Sequence, residues 1–490
     1  MKAIIVGSGI GGLSTAIRLA AAGYEVEVFE ASEGPGGKLK ENTVDGYRFD
    51  LGPSLFTMPQ LVEELFVLTG EKMSDHFQFQ RLETLCNYFY EDGTLFHSYA
   101  DLTKLEEELK QKAGLKTGEL KKYLKTIERI YDITAPVFLY KSLHRISSFL
   151  NIQTVKSILQ LPFIRSSQKM NEMNKAFFSD VRMVQYFNRY ATYNGSDPYQ
   201  APGTLNLIPH LEHDMGAYFP KGGMYSITKK LYELACRKGV RFHFNQTVSE
   251  IIVENKRVKG VKLNEGLKYA DIVISNMDIY PTYRKLLSKH KAPEHLLKQE
   301  KSSSALIFYW GISKSFPELD LHNILFSADY KKEFDAIWTF KTIYNDPTVY
   351  INITSKYESS DAPAGCENWF VMINVPHNSG QNWDQLKKEA RASIIKKINR
   401  ILKTDIEQFI QTEDFLDPVL IETRTSSYKG ALYGNASNNK MAAFLRHSNA
   451  SSNIKGLYFC GGSVHPGGGI PLAILSGKIT AELIMNDLPC

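Results

Sequence analysis

Lys2-Ala3-Ile4-Ile5-Val6-Gly7-Ser8-Gly9-Ile10-Gly11-Gly12-Leu13 decides the fold of this chain. Lys2 to Val6 is a short apolar strand, and Leu13 to Ala22 reads as a helix of small residues. Gly7 permits the tight turn, Gly9 lets the backbone approach a pyrophosphate, and Gly12 allows close packing of helix on strand. Ile10 and Gly11 open the helix, whose free N–H groups and positive dipole end favour phosphate. A second strand, Glu25 to Phe29, ends on Glu30, 18 residues after Gly12. That is close to the spacing of a carboxylate that accepts from ribose hydroxyls. Strand, helix and distant acid together separate this unit from a chance glycine turn. They predict an α/β protein with a Rossmann-type dinucleotide site.

Working outward, Glu30 runs into Ala31-Ser32-Glu33-Gly34-Pro35-Gly36-Gly37-Lys38. Gly36 and Gly37 let backbone pass close to a ligand, and Lys38 places a cation near phosphate. Phe49-Asp50-Leu51-Gly52-Pro53-Ser54 is a further turn. An NAD site does not need these additional loops, whereas a larger cofactor threaded across the domain does. The far end of the chain supplies the counterpart. Gly456 to Cys460 is a strand, followed by Gly461-Gly462-Ser463 and Val464-His465-Pro466-Gly467-Gly468-Gly469-Ile470-Pro471, and then by helical periodicity from Leu472 to Met485. Pro471 suits a first helical turn. One cofactor, FAD, touching both units is the simplest account. Its pyrophosphate lies at the first helix and its isoalloxazine at Gly462, Ser463, Gly469, Ile470 and Pro471, where the second helix dipole favours negative charge near N1.

At 490 residues the chain suggests two domains or more. The composition is globular, 43% hydrophobic and 23% charged, and a net charge of +5 is too mild to imply nucleic acid. Five scattered cysteines with no C-x-x-C pair suggest reduced thiols in the cytoplasm rather than a disulfide framework or zinc site. No H-x-x-x-H or G-x-S-x-G pattern suggests a metal site or hydrolase. Glycines and Arg18 interrupt the apolar start, which therefore reads as folded protein rather than a secretion signal. The uncharged run Gly456 to Gly477 carries seven glycines and two prolines, so it is no membrane span.

Several of these motifs together resemble the FAD-dependent phytoene desaturase-type carotenoid desaturases of the amine oxidase-like flavoprotein group. The likeness is carried by GSGIGGL, EASEGPGGK, FDLGPS, LEHDMGAYFPKGGM (Leu211 to Met224), SNMD (Ser275 to Asp278) and GGSVHPGGGIPLAILSG (Gly461 to Gly477), and the last is the most specific. Gly52-Pro53-Ser54-Leu55-Phe56-Thr57-Met58 is similar to the 1-hydroxycarotenoid 3,4-desaturase branch. The resemblance implies desaturation of an acyclic carotenoid, with hydride passing from a saturated C–C bond beside the polyene to flavin N5. It places the Val248 backbone by the adenine and Asn276 at the exit from the FAD domain.

The cofactor domain is expected to be discontinuous, from 1–90, 220–285 and 425–490. Within it, Arg241 to Leu263 reads as a β-meander and Ala270 to Asn276 as a buried strand. The insertions 91–219 and 286–424 are expected to form an α+β substrate domain. Asp101 to Tyr131 and Gln385 to Leu402 read as helical. Ser304–Ile312, His322–Ser327, Thr348–Thr354 and Trp369–Val375 read as strands of an antiparallel sheet. Ile133 to Asn171 holds five cations and no acid across 39 residues. Leu139, Leu143, Ile146 and Leu150 fall on one face of a helix there, which suits contact with an anionic membrane. The alternative is a core helix with a solvated basic face. A carotenoid must be collected from lipid, so the enzyme is expected at the cytoplasmic face of the membrane as a peripheral protein.

The polyene delocalises the developing cation, so few catalytic side chains are expected. His213 and Asp214 are the candidates for accepting a proton, and His465 adjoins the flavin loop. Oxygen or a quinone would take the electrons. Two other readings stand beside desaturation: a flavin-dependent carotenoid isomerase and a non-enzymatic flavin-containing carotenoid carrier.

Overall fold

The computed structural model describes residues 1–145, 156–157, 159–160, 168–439 and 446–490. Five parallel strands drawn from distant stretches of chain form one sheet, in the order Arg241–His243, Glu25–Phe29, Lys2–Val6, Ile272–Ser275 and Leu457–Phe459. Its central strands Lys2–Val6 and Ile272–Ser275 are apolar on both faces because both are covered. Ile5 and Ile274 pack under the helices Ile10–Ala21, Gln60–Leu68, Tyr225–Arg237 and Ile470–Asp487. Ile4 and Val273 face a three-stranded antiparallel sheet, Glu250–Glu254, Arg257–Leu263 and Gly266–Tyr269. The meander expected over 241–263 therefore begins later. Arg241–His243 instead joins the parallel sheet, where the His243 ring stacks on Phe29 at 4.6 Å and Arg241 pairs with Glu27 at 2.8 Å.

A second, seven-stranded sheet carries the other half of the molecule. Its order is Ile410–Leu416, Ser304–Ile312, Glu367–Val375, Val349–Ile353, His322–Leu325, Thr84–Phe89 and Leu95–Tyr99. All pairings are antiparallel except that of His322–Leu325 with Thr84–Phe89. Thr84–Phe89 lies within the 1–90 stretch assigned from sequence to the cofactor domain, yet its pairing and burial belong to this sheet. The helix Trp383–Leu402 covers one face through Ile394 and Ile398. A helical layer built on Leu102–Ala113, Glu119–Phe138, Met170–Phe177 and Val181–Asn188 packs at the edge. The helical stretch expected over 101–131 is divided into two helices, because Gly114 and Gly118 take left-handed backbone at φ 63° and 84°.

The helix Glu119–Phe138 runs six residues into the acid-free basic stretch and ends there. Leu139 to Arg145 form turns rather than the expected helical face, and Ile146 and Leu150 lie outside the described residues. The reason is local capture. The Ala135 carbonyl accepts from Leu139 and Tyr140, Ser142 Oγ accepts from the His144 amide, and His465 Nε2 donates to the Lys141 carbonyl at 2.8 Å. Among the described residues no helix is long and apolar enough to cross a membrane.

Candidate functional site

The chain's two ends meet at the N-terminus of the first helix. Gly7 turns at φ 96°, and Gly9 caps Ile10–Ala21. A Cβ on Gly12 would stand 2.4 Å from the Gly7 carbonyl oxygen, so this glycine lets the helix lie on its own strand. A Cβ on Gly11 would come within 3.0 Å of Gly461 backbone from the other end of the chain. Asn276 fills the space between them, its Nδ2 donating to the Cys460 carbonyl at 3.2 Å. Ser14 Oγ then donates to the Ile474 carbonyl of the last helix at 3.0 Å. Two strand–glycine–helix units 460 residues apart therefore build one cradle.

From this cradle a single cavity of about 1540 Å³ extends into the seven-stranded sheet. The sequence-predicted residues Gly7, Gly9, Ile10, Gly11, Glu30, Ala31, Gly37, Lys38, Gly52, Pro53, Ser54, Val248, Asn276, Gly462, Ser463, Gly469, Ile470 and Pro471 all line it. Gly12 stands behind the wall, in the packing role its spacing gives it. Glu30 is held rigidly: one carboxylate oxygen accepts from the Ser8 amide and hydroxyl, both at 2.8 Å, and the other from those of Ser32, both at 2.9 Å. Lys38 donates to the Leu432 carbonyl at 2.7 Å. Desolvation lowers its pKa to about 8, against the pull of Asp278, so the group is still cationic at neutral pH. Gly469 caps the last helix at φ 104° and faces open space, which leaves that helix N-terminus bare toward the cavity.

The far part of the cavity is apolar, with Leu85, Leu205, Leu207, Ile208, Leu211, Ile307, Ile324, Phe370 and Met372 on its walls. It also reaches Thr134, Phe138 and Leu139, at the start of the basic stretch. A buried ion pair stands at this end. Arg189 donates to Glu212 at 3.0 Å, and its guanidinium carbon lies 4.1 Å from the Tyr190 ring centroid and 5.2 Å from that of Tyr193. Burial raises the Glu212 pKa, but Arg189, His213 and the hydroxyls of Tyr190 and Tyr193 together outweigh it and hold the carboxylate below its usual range.

His213 and Asp214, the expected proton acceptors, are not on the cavity wall. His213 is buried, with Nε2 between the hydroxyls of Tyr186 and Tyr190 at 3.0 and 3.2 Å, and burial lowers its pKa. Asp214 turns back to pair with His210 Nδ1 at 2.7 Å. Helical geometry is the reason: in the short helix Ile208–His213, Ile208 and Leu211 face the cavity, His213 falls on another face, and Asp214 follows as the C-cap. His465 ties the turn at Lys141 to the C-terminal loop and does not line the cavity.

The pattern of flavin containing amine oxidoreductases matches residues 10–485. The chain belongs to the flavin-containing amine oxidoreductase family. Within it, the chain is 54% identical over 485 residues to a 1-hydroxycarotenoid 3,4-desaturase from Flavobacterium sp. (strain P99-3), covering 99% of each. It is 33% identical to a 4,4'-diapolycopene oxygenase from Methylomonas sp, covering 99% of this chain and 98% of that one. A solved structure of putrescine oxidase has the same fold, with a TM-score of 0.65 at 12% identity and 99% of each chain covered.

As a flavin-containing amine oxidoreductase the protein is an FAD-dependent oxidoreductase, and the cradle fits that cofactor. Glycine backbone lies where a Cβ would crowd Asn276 or the opposite chain end, and two helix N-termini face the same cavity. Arg446 adds a feature without a sequence signal. It is buried on the cavity wall and bonds the Tyr433, Gly462 and Asn435 carbonyls and Asn194 Oδ1 at 3.1 to 3.4 Å. No carboxylate among the described residues pairs with it, and burial lowers its pKa to about 10. A cation without a counter-ion beside two helix dipoles suits an electron-rich ligand. The cavity also exceeds the roughly 300–1,000 Å³ of an ordinary ligand pocket, leaving room for a second occupant.

Proposed function

We propose that this enzyme desaturates an acyclic carotenoid, and that its bond is the 3,4 bond of a 1-hydroxycarotenoid. The observation that carries this reading is the full-length 54% identity to a 1-hydroxycarotenoid 3,4-desaturase. The continuity of cofactor cradle and apolar passage in one cavity supports it. Bound FAD supplies a hydride acceptor at N5. Glu30, Val248, Gly462, Gly469 and Pro471 are among the cradle residues that would hold it. The chain's other work is physical. Leu207, Ile324 and Phe370 exclude water and confine the polyene, and the polyene itself stabilises the developing charge. The other hydrogen leaves the adjacent carbon as a proton and passes to water at the open end of the cavity, since His213 and Asp214 are off the wall.

Membrane uptake belongs to the same reading. The substrate is a long hydrocarbon, and each exposed CH₂ costs about 0.8 kcal/mol in water. The passage reaches Phe138 and Leu139 at the head of the acid-free basic stretch, which fits a peripheral protein drawing substrate from the inner leaflet and passing electrons to oxygen or a quinone. The test is anaerobic. The purified, FAD-loaded protein in liposomes receives a 1-hydroxycarotenoid under nitrogen. Flavin bleaching with a product lighter by two hydrogens is expected. A product of unchanged mass favours an isomerase, and binding without bleaching favours a carrier; either result overturns the reading.

A further inference from the structure

A polyene gives an apolar tunnel nothing to measure its position by, because each stretch of the chain resembles the next. A desaturase that oxidises one chosen bond needs a polar group that fixes the register, and one stands on the cavity wall. His322 begins an inner strand of the seven-stranded sheet, is 4% exposed and lines the cavity. Its Nδ1 lies 2.7 Å from the Tyr350 hydroxyl and 3.2 Å from Asn352 Nδ2. Tyr350 in turn lies 2.8 Å from Ser54 Oγ, in the Gly52-Pro53-Ser54 loop of the cofactor cradle. His322 Nε2 has no hydrogen-bond partner.

The tautomer follows from these partners. Asn352 Nδ2 also donates to the Leu321 carbonyl at 2.9 Å, so it is the amide nitrogen that faces His322. An amide nitrogen only donates, so Nδ1 accepts and the proton sits on Nε2. Burial holds the ring pKa down at about 4, so it is neutral at physiological pH and presents an uncharged donor. Of the neighbouring polar groups, Tyr193 donates to Glu212 at 2.9 Å and Thr134 to the Ile130 carbonyl, while Arg189, whose Nε also lacks a partner, is a charged group held by Glu212 at 3.0 Å. A buried donor left without an acceptor is costly, which is a reason to expect a ligand oxygen there.

Resting on the desaturase reading above, we propose that His322 Nε2 donates a hydrogen bond to the C1 hydroxyl of the substrate and so sets which carbon–carbon bond faces the flavin. Tyr350 is a positioning residue, holding the ring with Ser54 behind it. C1 is separated from C3 by one carbon, so its oxygen must lie close to the reacting bond, and the Ser54–Tyr350–His322 chain ties this donor to the cofactor cradle.

The experiment compares a 1-hydroxycarotenoid with the same carbon chain lacking the hydroxyl, in liposomes with FAD-loaded protein. The readouts are kcat/KM for each substrate, the position of the new double bond and dissociation constants from substrate-induced flavin spectral shifts. In the unaltered protein the hydroxylated substrate is expected to be preferred about tenfold to hundredfold. His322→Leu, with flavin content and melting temperature retained, is expected to erase the preference and scatter the new bond among positions. His322→Gln, which keeps a donor, restores part of the preference, and Tyr350→Phe lowers it by less than His322→Leu. An unchanged preference in folded, flavin-loaded His322→Leu overturns the proposal. If His322→Leu does not fold, equal binding of both substrates to the unaltered protein overturns it in its place. Failure of the desaturase reading looks different: neither substrate bleaches the flavin, while a binding preference for the hydroxylated chain still reports on His322.

Discussion

The two ends of the cavity are built by opposite means. The cradle is made of backbone: Gly7, Gly9, Gly11, Gly461 and Gly469 leave space where side chains would stand, and specificity comes from helix ends and fixed turns. The far end is made of side chains, with Arg189 and Glu212 locked among tyrosines and apolar residues filling the rest. A site for a polar, universal cofactor needs close approach, which only glycine gives. A site for a hydrocarbon needs volume and wall shape, which many residues give. The first end should therefore fail by clash and the second by loss of packing or charge balance.

The largest effect is expected from Gly12→Ala, whose Cβ would stand 2.4 Å from the Gly7 carbonyl oxygen. Alanine is better than glycine in a helix by about 1 kcal/mol, so propensity alone predicts stabilisation. We expect near-complete loss of bound flavin, read from visible absorbance after purification. Retention of full colour would break the contrast between the two ends.

At the other end, Glu212→Leu strands the Arg189 cation and should lower the unfolding free energy by about 3–5 kcal/mol in denaturant titrations. The double variant Arg189→Met/Glu212→Leu should recover most of that loss, since a well-packed apolar pair can replace a buried ion pair. A double variant as weak as the single one would show that the pair's geometry, not its charge balance, holds this end together.

The smallest effect sharpens the cradle's electrostatics. The Lys38 pKa is about 8 in the folded chain and about 10.4 unfolded, so between these values the folded chain binds fewer protons. Stability from this group therefore rises with pH through that window. Against Lys38→Met, the apoprotein with lysine should gain about 1–2 kcal/mol between pH 7 and pH 10, because the side chain keeps partial contact with the cavity. Melting curves of both proteins at the two pH values check this.

The same contrast decides what the sequence reveals. Glycine spacing is a local signal, and the cradle was legible from Gly7 to Gly12 and from Gly461 to Pro471 because backbone geometry leaves few alternatives there. Ser304–Ile312, apolar and β-branched, was legible as a strand to the residue. Thr84–Phe89 has a local hairpin partner in Leu95–Tyr99 across Asp92-Gly93, but its place in this sheet is set by His322–Leu325, more than two hundred residues away. His213 and Asp214 carry the right chemistry, but only the helical phase shows which way they point. Arg446 and His322 lacked any signal: each matters through partners from other strands and loops, Tyr433 and Asn194 for one, Tyr350 and Ser54 for the other.

The hydrogen bond from Ser14 to Ile474 joins the first helix to the last. During synthesis at about 5–20 residues per second, the first helix must wait roughly 20–90 s for its partner to be made. Until then the flank of Ile10–Ala21 that packs on Ile470–Asp487 is uncovered, and the nucleotide pocket is open along that side. A growing polypeptide should therefore hold flavin poorly until the last helix is made. Pigment formation in a cell starved of riboflavin should be limited by finished but empty protein, a pool that added FAD can rescue without new translation.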